Sequence, residues 1–121
     1  MSTIKTHKDL EVWKKSVSLV TSVYELTKGF PIEEIYGITN QIRRSAVSIP
    51  SNIAEGSARK GNKEYMQFLY ISLGSLSELE TQLIIANNLK YLSDNDFEWI
   101  AENMTEIGKM LIGLIRYVKK K

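Results

Sequence analysis

The sequence has no cysteine and a single histidine, His7, near its start. Without cysteine the chain can form neither disulfides nor thiolate metal sites, which fits a reducing compartment such as the cytoplasm. With one histidine, zinc sites and Ser/His/Asp or Cys/His arrangements cannot be built within one chain. The first ten residues lack the apolar run of a signal peptide, and no run of about 18 apolar residues occurs anywhere. We therefore expect a cytoplasmic, non-enzymatic protein with no metal, no cofactor and no membrane segment.

The overall composition is that of an ordinary globular chain. Its 121 residues are 43% apolar and 25% charged, which predicts one domain spanning residues 1–121. The net charge of +2 does not by itself indicate nucleic-acid binding, so the distribution of charge matters more. Basic residues form two clusters, Arg59, Lys60 and Lys63 in mid-chain and Arg116, Lys119, Lys120 and Lys121 at the end. Acidic residues gather at Asp94, Asp96, Glu98, Glu102 and Glu106.

Apolar residues at alternating spacings of three and four predict the first two helices. The expected buried face of the first helix is Leu10, Trp13, Val17, Val20, Tyr24 and Thr27. Thr6 or Asp9 is expected to cap its start, and Gly29 and Pro31 to end it. After a connection that holds only a short turn, the second helix is predicted to begin near residue 39. Its face is Ile38, Ile42, Ala46, Ile49 and Ile53.

Pro50 lies inside the second helical pattern. Proline removes one backbone donor and clashes with the carbonyl of Ala46, one turn earlier. Because the apolar period continues through this position, we expect a kink in the helix and not a break.

The second half of the chain predicts two longer helices. Asn62 is expected to cap the third, and Ser93 with Asp96 resembles a capping box at the start of the fourth. The face of the third helix is Tyr65, Leu69, Ser72, Leu76, Leu79, Leu83 and Ala86. The face of the fourth is Phe97, Ile100, Met104, Ile107, Leu111, Leu114 and Val118. No strand pattern competes, so the sequence predicts an all-α protein, an antiparallel up-down-up-down four-helix bundle with helix two kinked at Pro50.

Some apolar residues lie outside these faces. On the first helix they are Val12, Leu19, Val23 and Leu26, and on the third Phe68, Ile71, Leu73, Ile84 and Ile85. Two interpretations stay open: a broad core stripe, which is common in globular helices, or a subunit interface that buries apolar surface a monomer would expose.

A polar stripe follows the second helix: Gln41, Ser45, Ser48, Asn52 and Glu55, with Arg43 and Arg44 beside it. Arg44 is expected to pair with Glu80 of the third helix. The favoured interpretation is a structural hydrogen-bond network made of Gln41, Arg44, Asn52, Glu55 and Glu80, because buried polar groups usually satisfy one another. The alternative is a groove for a ligand or nucleic acid.

The connection before the third helix carries Arg59, Lys60 and Lys63. Together with the free amides of a helix start, these side chains can hold a phosphate. The alternative is a solvated basic loop without a ligand.

Three segments carry a family resemblance. The run from Tyr36 to Gly56 includes the unusual stretch Ser-Ile-Pro-Ser-Asn-Ile-Ala-Glu-Gly, and residues 10–15 and 68–83 fit the same pattern. They closely resemble the four-helix-bundle proteins encoded within intervening sequences of bacterial 23S ribosomal RNA genes, over roughly residues 9 to 118. Ser45 and Ser72 stand where alanine is common in that family.

The resemblance implies a four-helix bundle that assembles as a homopentamer and has a largely uncharacterised role. A similar bundle is the accessory protein of diversity-generating retroelements, where a basic pentamer is thought to bind reverse transcriptase and nucleic acid. The leading hypothesis is therefore a non-enzymatic homo-oligomer that contacts RNA, DNA or a nucleic-acid-processing protein. Its contacts would be Arg59, Lys60, Lys63, Arg116, Lys119 and Lys120. The alternative is a protein-binding scaffold or adaptor with no nucleic-acid contact.

Overall fold

A computed structural model describes residues 6–121, and within them the chain folds into four α-helices without a strand. The helices are α1, Glu11–Thr27; α2, Ile38–Ser57; α3, Asn62–Asn88; and α4, Asp94–Lys120. Single turns of 3₁₀ helix precede α1 and α2, at His7–Asp9 and Ile32–Glu34. The predicted all-α fold with four helices is confirmed.

The starts of α1 and α4 differ in how their free N–H groups are bound. Ser93 Oγ accepts a hydrogen bond from the Asp96 N–H at 3.1 Å, so Ser93 caps α4 as predicted, but the reciprocal bond of a capping box is not formed within residues 6–121. Thr6 and Asp9 cap the 3₁₀ turn before α1 and not α1 itself. The N-cap of α1 is Leu10, which makes no side-chain hydrogen bond.

The long helix α3 begins without a side-chain cap. Its N-cap is Gly61 and Asn62 is its first helical residue, so the predicted asparagine cap was wrong. The N–H of Tyr65 bonds to the Gly61 carbonyl at 3.1 Å. The N–H groups of residues 62–64 precede this bond and are the donors that a helix start leaves free.

One apolar core joins all four helices. The predicted faces of α2, α3 and α4 supply most of it, including Ile42, Ile49, Ile53, Leu69, Leu79, Leu83, Ile100, Ile107 and Leu111, all fully or almost fully buried. Removing this surface from water is the main term that stabilises the fold.

Of the predicted face of α1 only Thr27 is fully buried, and the other buried residues belong to a neighbouring face. Val12, Leu19 and Val23 are 4%, 3% and 0% exposed, whereas Val17 and Tyr24 are 38% and 40% exposed. Two sets of residues on this helix share the three-and-four spacing, because its apolar arc is wide enough to hold both. The surplus apolar residues of α1 are therefore core.

Around the bundle, each helix packs against two neighbours. α2 lies between α1 and α3, and α4 lies between α3 and α1. Within the described residues α2 makes no contact with α4, so these two helices are diagonal to each other and their outer surfaces face away on opposite sides.

The end of α2 lies very close to α3. A Cβ atom on Gly56 would lie 2.8 Å from Phe68 Cβ and 3.2 Å from the carbonyl oxygen of Tyr65. Glycine is needed there because any side chain would collide with a neighbouring helix. α2 runs unbroken through the buried Pro50 to reach this contact.

Candidate functional site

Hydrogen bonds between side chains join α2 to α3 along one line, which we call the polar seam. Ser45 Oγ donates to Glu78 Oε1 at 2.8 Å, and the hydroxyls of Ser48 and Ser75 are 2.8 Å apart. Within α2, Asn52 Nδ2 donates to the carbonyl and hydroxyl oxygens of Ser48, one turn earlier, at 2.8 and 2.9 Å, and so supports Ser48 without itself reaching α3. The seam is a network of part-buried groups that satisfy one another.

A fully buried bond continues the seam. Ser72, which is 0% exposed, donates from Oγ to the carbonyl oxygen of Ile49 at 2.9 Å. Alanine at Ser45 or Ser72 could make neither of the cross-helix bonds that these serines form. The directional contacts fix the register of α2 against α3.

The predicted network shares only Asn52 with the hydrogen bonds of the seam. Glu55 instead accepts from Arg59 Nη2 at 2.9 Å, one turn along the same helix. Gln41 and Arg44 line a groove of about 350 Å³ that borders the seam, and no hydrogen bond of theirs crosses to α3 within residues 6–121.

The predicted ion pair between Arg44 and Glu80 is not formed in the described part of the chain. Glu80 lies in a cleft with Met104 of α4, while the carboxylate on the Arg44 side is Glu78. Residues two apart on a helix point about 200° apart, so only one of the two glutamates can reach α2. Sequence reasoning missed Glu78, although the serine opposite it was the available signal.

Two buried side-chain oxygens have no hydrogen-bond partner within the described residues: Thr39 Oγ1 and Gln82 Oε1. Gln82 lines the groove that holds Arg44 and Glu78.

The predicted basic residues of the α2–α3 connection lie together. Arg59, Lys60 and Lys63 line a shallow groove of about 450 Å³ with Glu64. All three are exposed, and within residues 6–121 neither lysine forms an ion pair. Both ammonium groups are therefore available to an anion.

Arg59 is more constrained than the two lysines. Its guanidinium bonds to Glu55 and lies 4.8 Å from the ring centroid of Phe68. An arginine held over an aromatic ring keeps its charge while losing little freedom when it binds a further group.

The C-terminal basic cluster meets this connection in space. A cavity of about 250 Å³ is bounded by Arg59 and Asn62 on one side and by Tyr117 and Lys121 of α4 on the other. Arg116, Lys119 and Lys120 are exposed within the same last turns of α4. Two basic segments that are far apart in the sequence thus lie at one end of the bundle, the basic end.

The cavity of the basic end is lined by apolar side chains and by two tyrosines, Tyr65 and Tyr117. Leu10, Leu114 and Val118 supply apolar surface, and Tyr65 lies between them and the connection. Burial raises the pKa of Tyr65 further above its ordinary value, and its hydroxyl, like that of any tyrosine at neutral pH, can donate a hydrogen bond.

Charge is distributed unevenly between the two ends. Residues 6–11, 55–64 and 114–121 hold eight basic side chains against four acidic ones. At the other end, residues 25–37 and 85–98 hold two basic side chains against six acidic ones. The net charge of the whole chain is small, but the two ends of the bundle carry opposite charge. An anion would therefore be attracted to the basic end only.

The acidic end is closed by contacts between its two connections. Tyr91 Oη donates to Glu34 Oε2 at 3.0 Å, and the rings of Tyr91 and Phe30 are 5.6 Å apart. The hydrogen bond to Glu34 raises the pKa of Tyr91, with smaller contributions from burial and from the charges of Glu34 and Glu33. These contacts hold the α1–α2 and α3–α4 connections together.

Residues 6–121 contain no cluster of three or more histidine, aspartate or glutamate side chains arranged to hold a metal. In the same part of the chain, no helix has the length and apolar character needed to cross a membrane.

Fold and surfaces together define a four-helix-bundle protein with one basic and one acidic end. The chain belongs to the 23S rRNA-intervening sequence protein family, whose model matches residues 8–113. The resemblance seen in the sequence is thereby confirmed.

A solved structure is similar over most of the chain. It is a protein of unknown function from the S23 ribosomal protein family of Bacteroides thetaiotaomicron VPI-5482. The two share 30% sequence identity with a TM-score of 0.78, over 86% of this chain and 97% of the other. No curated protein matches the chain.

Proposed function

We propose that this protein is a non-enzymatic, homo-oligomeric binding protein of the cytoplasm whose basic end contacts RNA or a nucleoprotein partner. The observation that carries the proposal is the meeting of two basic segments at one end. Arg59 and Lys60 come from the connection, Lys63 from the first turn of α3, and Arg116, Lys119 and Lys120 from the end of α4.

Phosphate binding needs charge and directed donors in one place. The basic end supplies the charge, and the uncapped start of α3 adds N–H groups beside Lys60 and Lys63. A solvated loop with no ligand would need neither the second basic segment nor the cavity between the two. These features favour the phosphate-binding interpretation of the connection.

The names of the related proteins refer to a gene location and a family, and they assign no role. The family description refers to a 23S rRNA-intervening sequence, and that of the solved structure to a ribosomal protein family. Neither description states a reaction. Function must be argued from a site, and the basic end is suited to holding a polyanion, not to bond breaking.

Self-association is part of the proposal, with the pentamer implied by family resemblance as the expected assembly. The apolar residues left exposed on α3 and at its C-cap, Leu89, support it: Tyr70, Ile71, Ile84, Ile85 and Leu89 are 58%, 49%, 43%, 43% and 52% exposed. Several copies would also multiply weak phosphate contacts, since linked sites bind with avidity.

The finer topology belongs to the same proposal: an antiparallel up-down-up-down bundle with α2 kinked at Pro50. Pairing along the polar seam supports it, because partners on α3 fall from Glu78 to Ser75 as residues on α2 rise from Ser45 to Ser48. Pro50 has no N–H to offer the helix, which is the usual cause of a kink.

The second candidate is a protein-binding scaffold with no nucleic-acid contact. The exposed apolar side of α3 favours it, because a partner protein could cover that surface as well as a second copy could.

The two candidates are separated by binding of the purified protein to structured RNA and duplex DNA over a salt series. The test compares wild type with the triple variant Arg59→Ala/Lys60→Ala/Lys63→Ala. We expect wild-type affinity to fall steeply with salt. In the variant, the slope of log K against log salt concentration should be shallower by about 2 to 3, because up to three phosphate contacts are lost.

The matched control is Lys14→Ala/Lys28→Ala/Lys109→Ala, which removes the same formal charge from exposed positions outside the basic end. The control should keep the wild-type slope. Equal losses in both variants would mean that total charge, and not the basic end, holds the nucleic acid. A wild-type protein that binds neither RNA nor DNA at low salt would contradict the proposal and leave the scaffold.

A further inference from the structure

The outer surface of α2 carries a groove of about 680 Å³. Tyr24, Ile35, Tyr36 and Val47 give it apolar walls. Tyr36 is 93% exposed, and an aromatic ring is seldom so fully exposed on the surface of a monomer. We call this surface the α2 groove.

The α2 groove contains two arginines and no acidic residue. The Arg43 guanidinium lies 4.6 Å from the ring centroid of Tyr24, and its Nε donates to Thr27 Oγ1 at 2.9 Å. Arg44 is exposed and forms no ion pair, hydrogen bond or ring contact within residues 6–121. The occupant that fits is therefore apolar and acidic.

The chain itself presents such a surface, on the first half of α4. At about 100° per residue, Glu98, Trp99 and Glu102 fall within one arc of the helix. The buried residues Ile100 and Ile107 lie on the other side. Trp99 is 52% exposed, and neither glutamate forms an ion pair within the described residues. We call this surface the α4 stripe.

The groove and the stripe cannot meet within one chain, because α2 and α4 are diagonal in the bundle. They can meet between two chains. We infer that the α2 groove of one copy receives the α4 stripe of a second copy, with Arg44 opposite Glu102 and the exposed rings of Tyr36 and Trp99 in the contact. This inference rests on the self-association in the proposed function, and it assigns the contact to the α2 groove and the α4 stripe in place of the exposed apolar side of α3.

Aromatic and arginine side chains at the centre of an interface are those that usually contribute most to binding. The α2 groove has an arginine and an aromatic ring, Arg44 and Tyr36, and the α4 stripe has the ring of Trp99. The charges of Arg44 and Glu102, unpaired within residues 6–121, are of opposite sign. The contact joins two different surfaces, so it is heterologous and leaves a free groove and a free stripe at the ends of any dimer. Further copies add until the assembly closes into a ring.

Charge reversal with rescue tests the assignment. The mass of the wild-type assembly, of Arg44→Glu, of Glu102→Arg and of the double variant is measured by sedimentation over a concentration series. We expect each single variant to raise the dissociation constant by about tenfold or more, since like charges would then face each other across the contact. The double variant should recover the wild-type mass, because the pair is restored with its signs exchanged.

Lys14→Glu is the matched control, since it makes the same charge change at an exposed position on α1. It should leave the assembly mass unchanged. Tyr36→Ala is a second variant that cannot act through the fold, because the ring is almost wholly exposed, and it should also weaken assembly. Thermal melts of all variants identify any that fail to fold.

Three results would overturn the inference, and they differ in whether the proposed self-association is retained. A monomeric wild type would remove both the assembly and its surfaces. An oligomer unaffected by Arg44→Glu, Glu102→Arg and Tyr36→Ala would keep self-association and reject these surfaces. An oligomer dissociated by Ile85→Lys but not by these variants would place the contact on α3.

Discussion

The contact between α2 and α3 and the contact between α1 and α4 are made by different kinds of interaction. The contact between α2 and α3 has directional hydrogen bonds along its length, including one from the fully buried Ser72. The two helices approach each other very closely at Gly56. Between α1 and α4 the described residues contribute one ion pair, Lys15 to Glu106 at 2.8 Å, with side chains 41% and 54% exposed. The rest of that contact is apolar. Hydrogen bonds thus fix the position of α2 against α3, while α1 is held mainly by the shape of its apolar face.

The largest expected effect is on the apolar attachment of α1. Leu19→Ala should lower the free energy of unfolding by about 2–5 kcal/mol, because Leu19 is 3% exposed and its removal leaves a cavity. Equilibrium urea denaturation at a fixed protomer concentration measures the change, since self-association would make stability depend on concentration.

Val17→Ala on the same helix is the control for that measurement. Val17 belongs to the face predicted from the sequence but is 38% exposed, so its loss should change the free energy by about 0.5 kcal/mol or less. A larger loss from Val17→Ala than from Leu19→Ala would show that α1 packs with the other face inward.

The next effect in size concerns the close approach of α2 and α3. Gly56→Ala should lower the free energy of unfolding by about 1–3 kcal/mol, because the new Cβ would lie 2.8 Å from Phe68 Cβ and the helices must separate. Denaturation curves at the same protomer concentration give the difference. Since Arg59 lies next to this contact, RNA binding by the variant should weaken as well.

Gly74→Ala provides the contrast within α3. A Cβ atom at Gly74 would have no neighbour within 4 Å, so alanine should raise the free energy of unfolding by about 0.5–1 kcal/mol through helix propensity. Equal stabilisation by the two substitutions would mean that α2 and α3 are not in close contact at Gly56.

The sequence predicted the helices and most of the buried residues of α2, α3 and α4. On α1 it predicted a neighbouring face, which shares only Thr27 with the buried one. The apolar arc of α1 is wide enough for either face, and the true face includes the buried Ser16, whose hydroxyl donates to the Val12 carbonyl at 2.7 Å. A serine satisfied within its own helix looks polar in the sequence and behaves as a core residue.

The candidate site was predicted only in part for a similar reason. The basic residues are visible in the sequence, but the meeting of residues near 60 with those near 120 depends on how the helices are arranged. The choice between Glu78 and Glu80 likewise depends on the rotation of α3 against α2, which local spacing leaves undetermined. Tertiary placement supplies both facts.

The smallest effects compare single polar interactions in the α2–α3 contact and in the α1–α4 contact. Asn52→Leu should lower the free energy of unfolding by about 1 kcal/mol, because it removes two hydrogen bonds to the part-buried Ser48. Lys15→Ala should cost less, and its effect should shrink in high salt, because an exposed ion pair contributes about 0–1 kcal/mol and is screened. Asn40→Leu, at an exposed position of α2, corrects for the better helix propensity of leucine. The contrast would be contradicted by two results together. Asn52→Leu would change the free energy of unfolding by the same amount as Asn40→Leu, and Lys15→Ala would lower it by more than either. The hydrogen bonds of Asn52 would then stabilise the fold no more than a surface contact does.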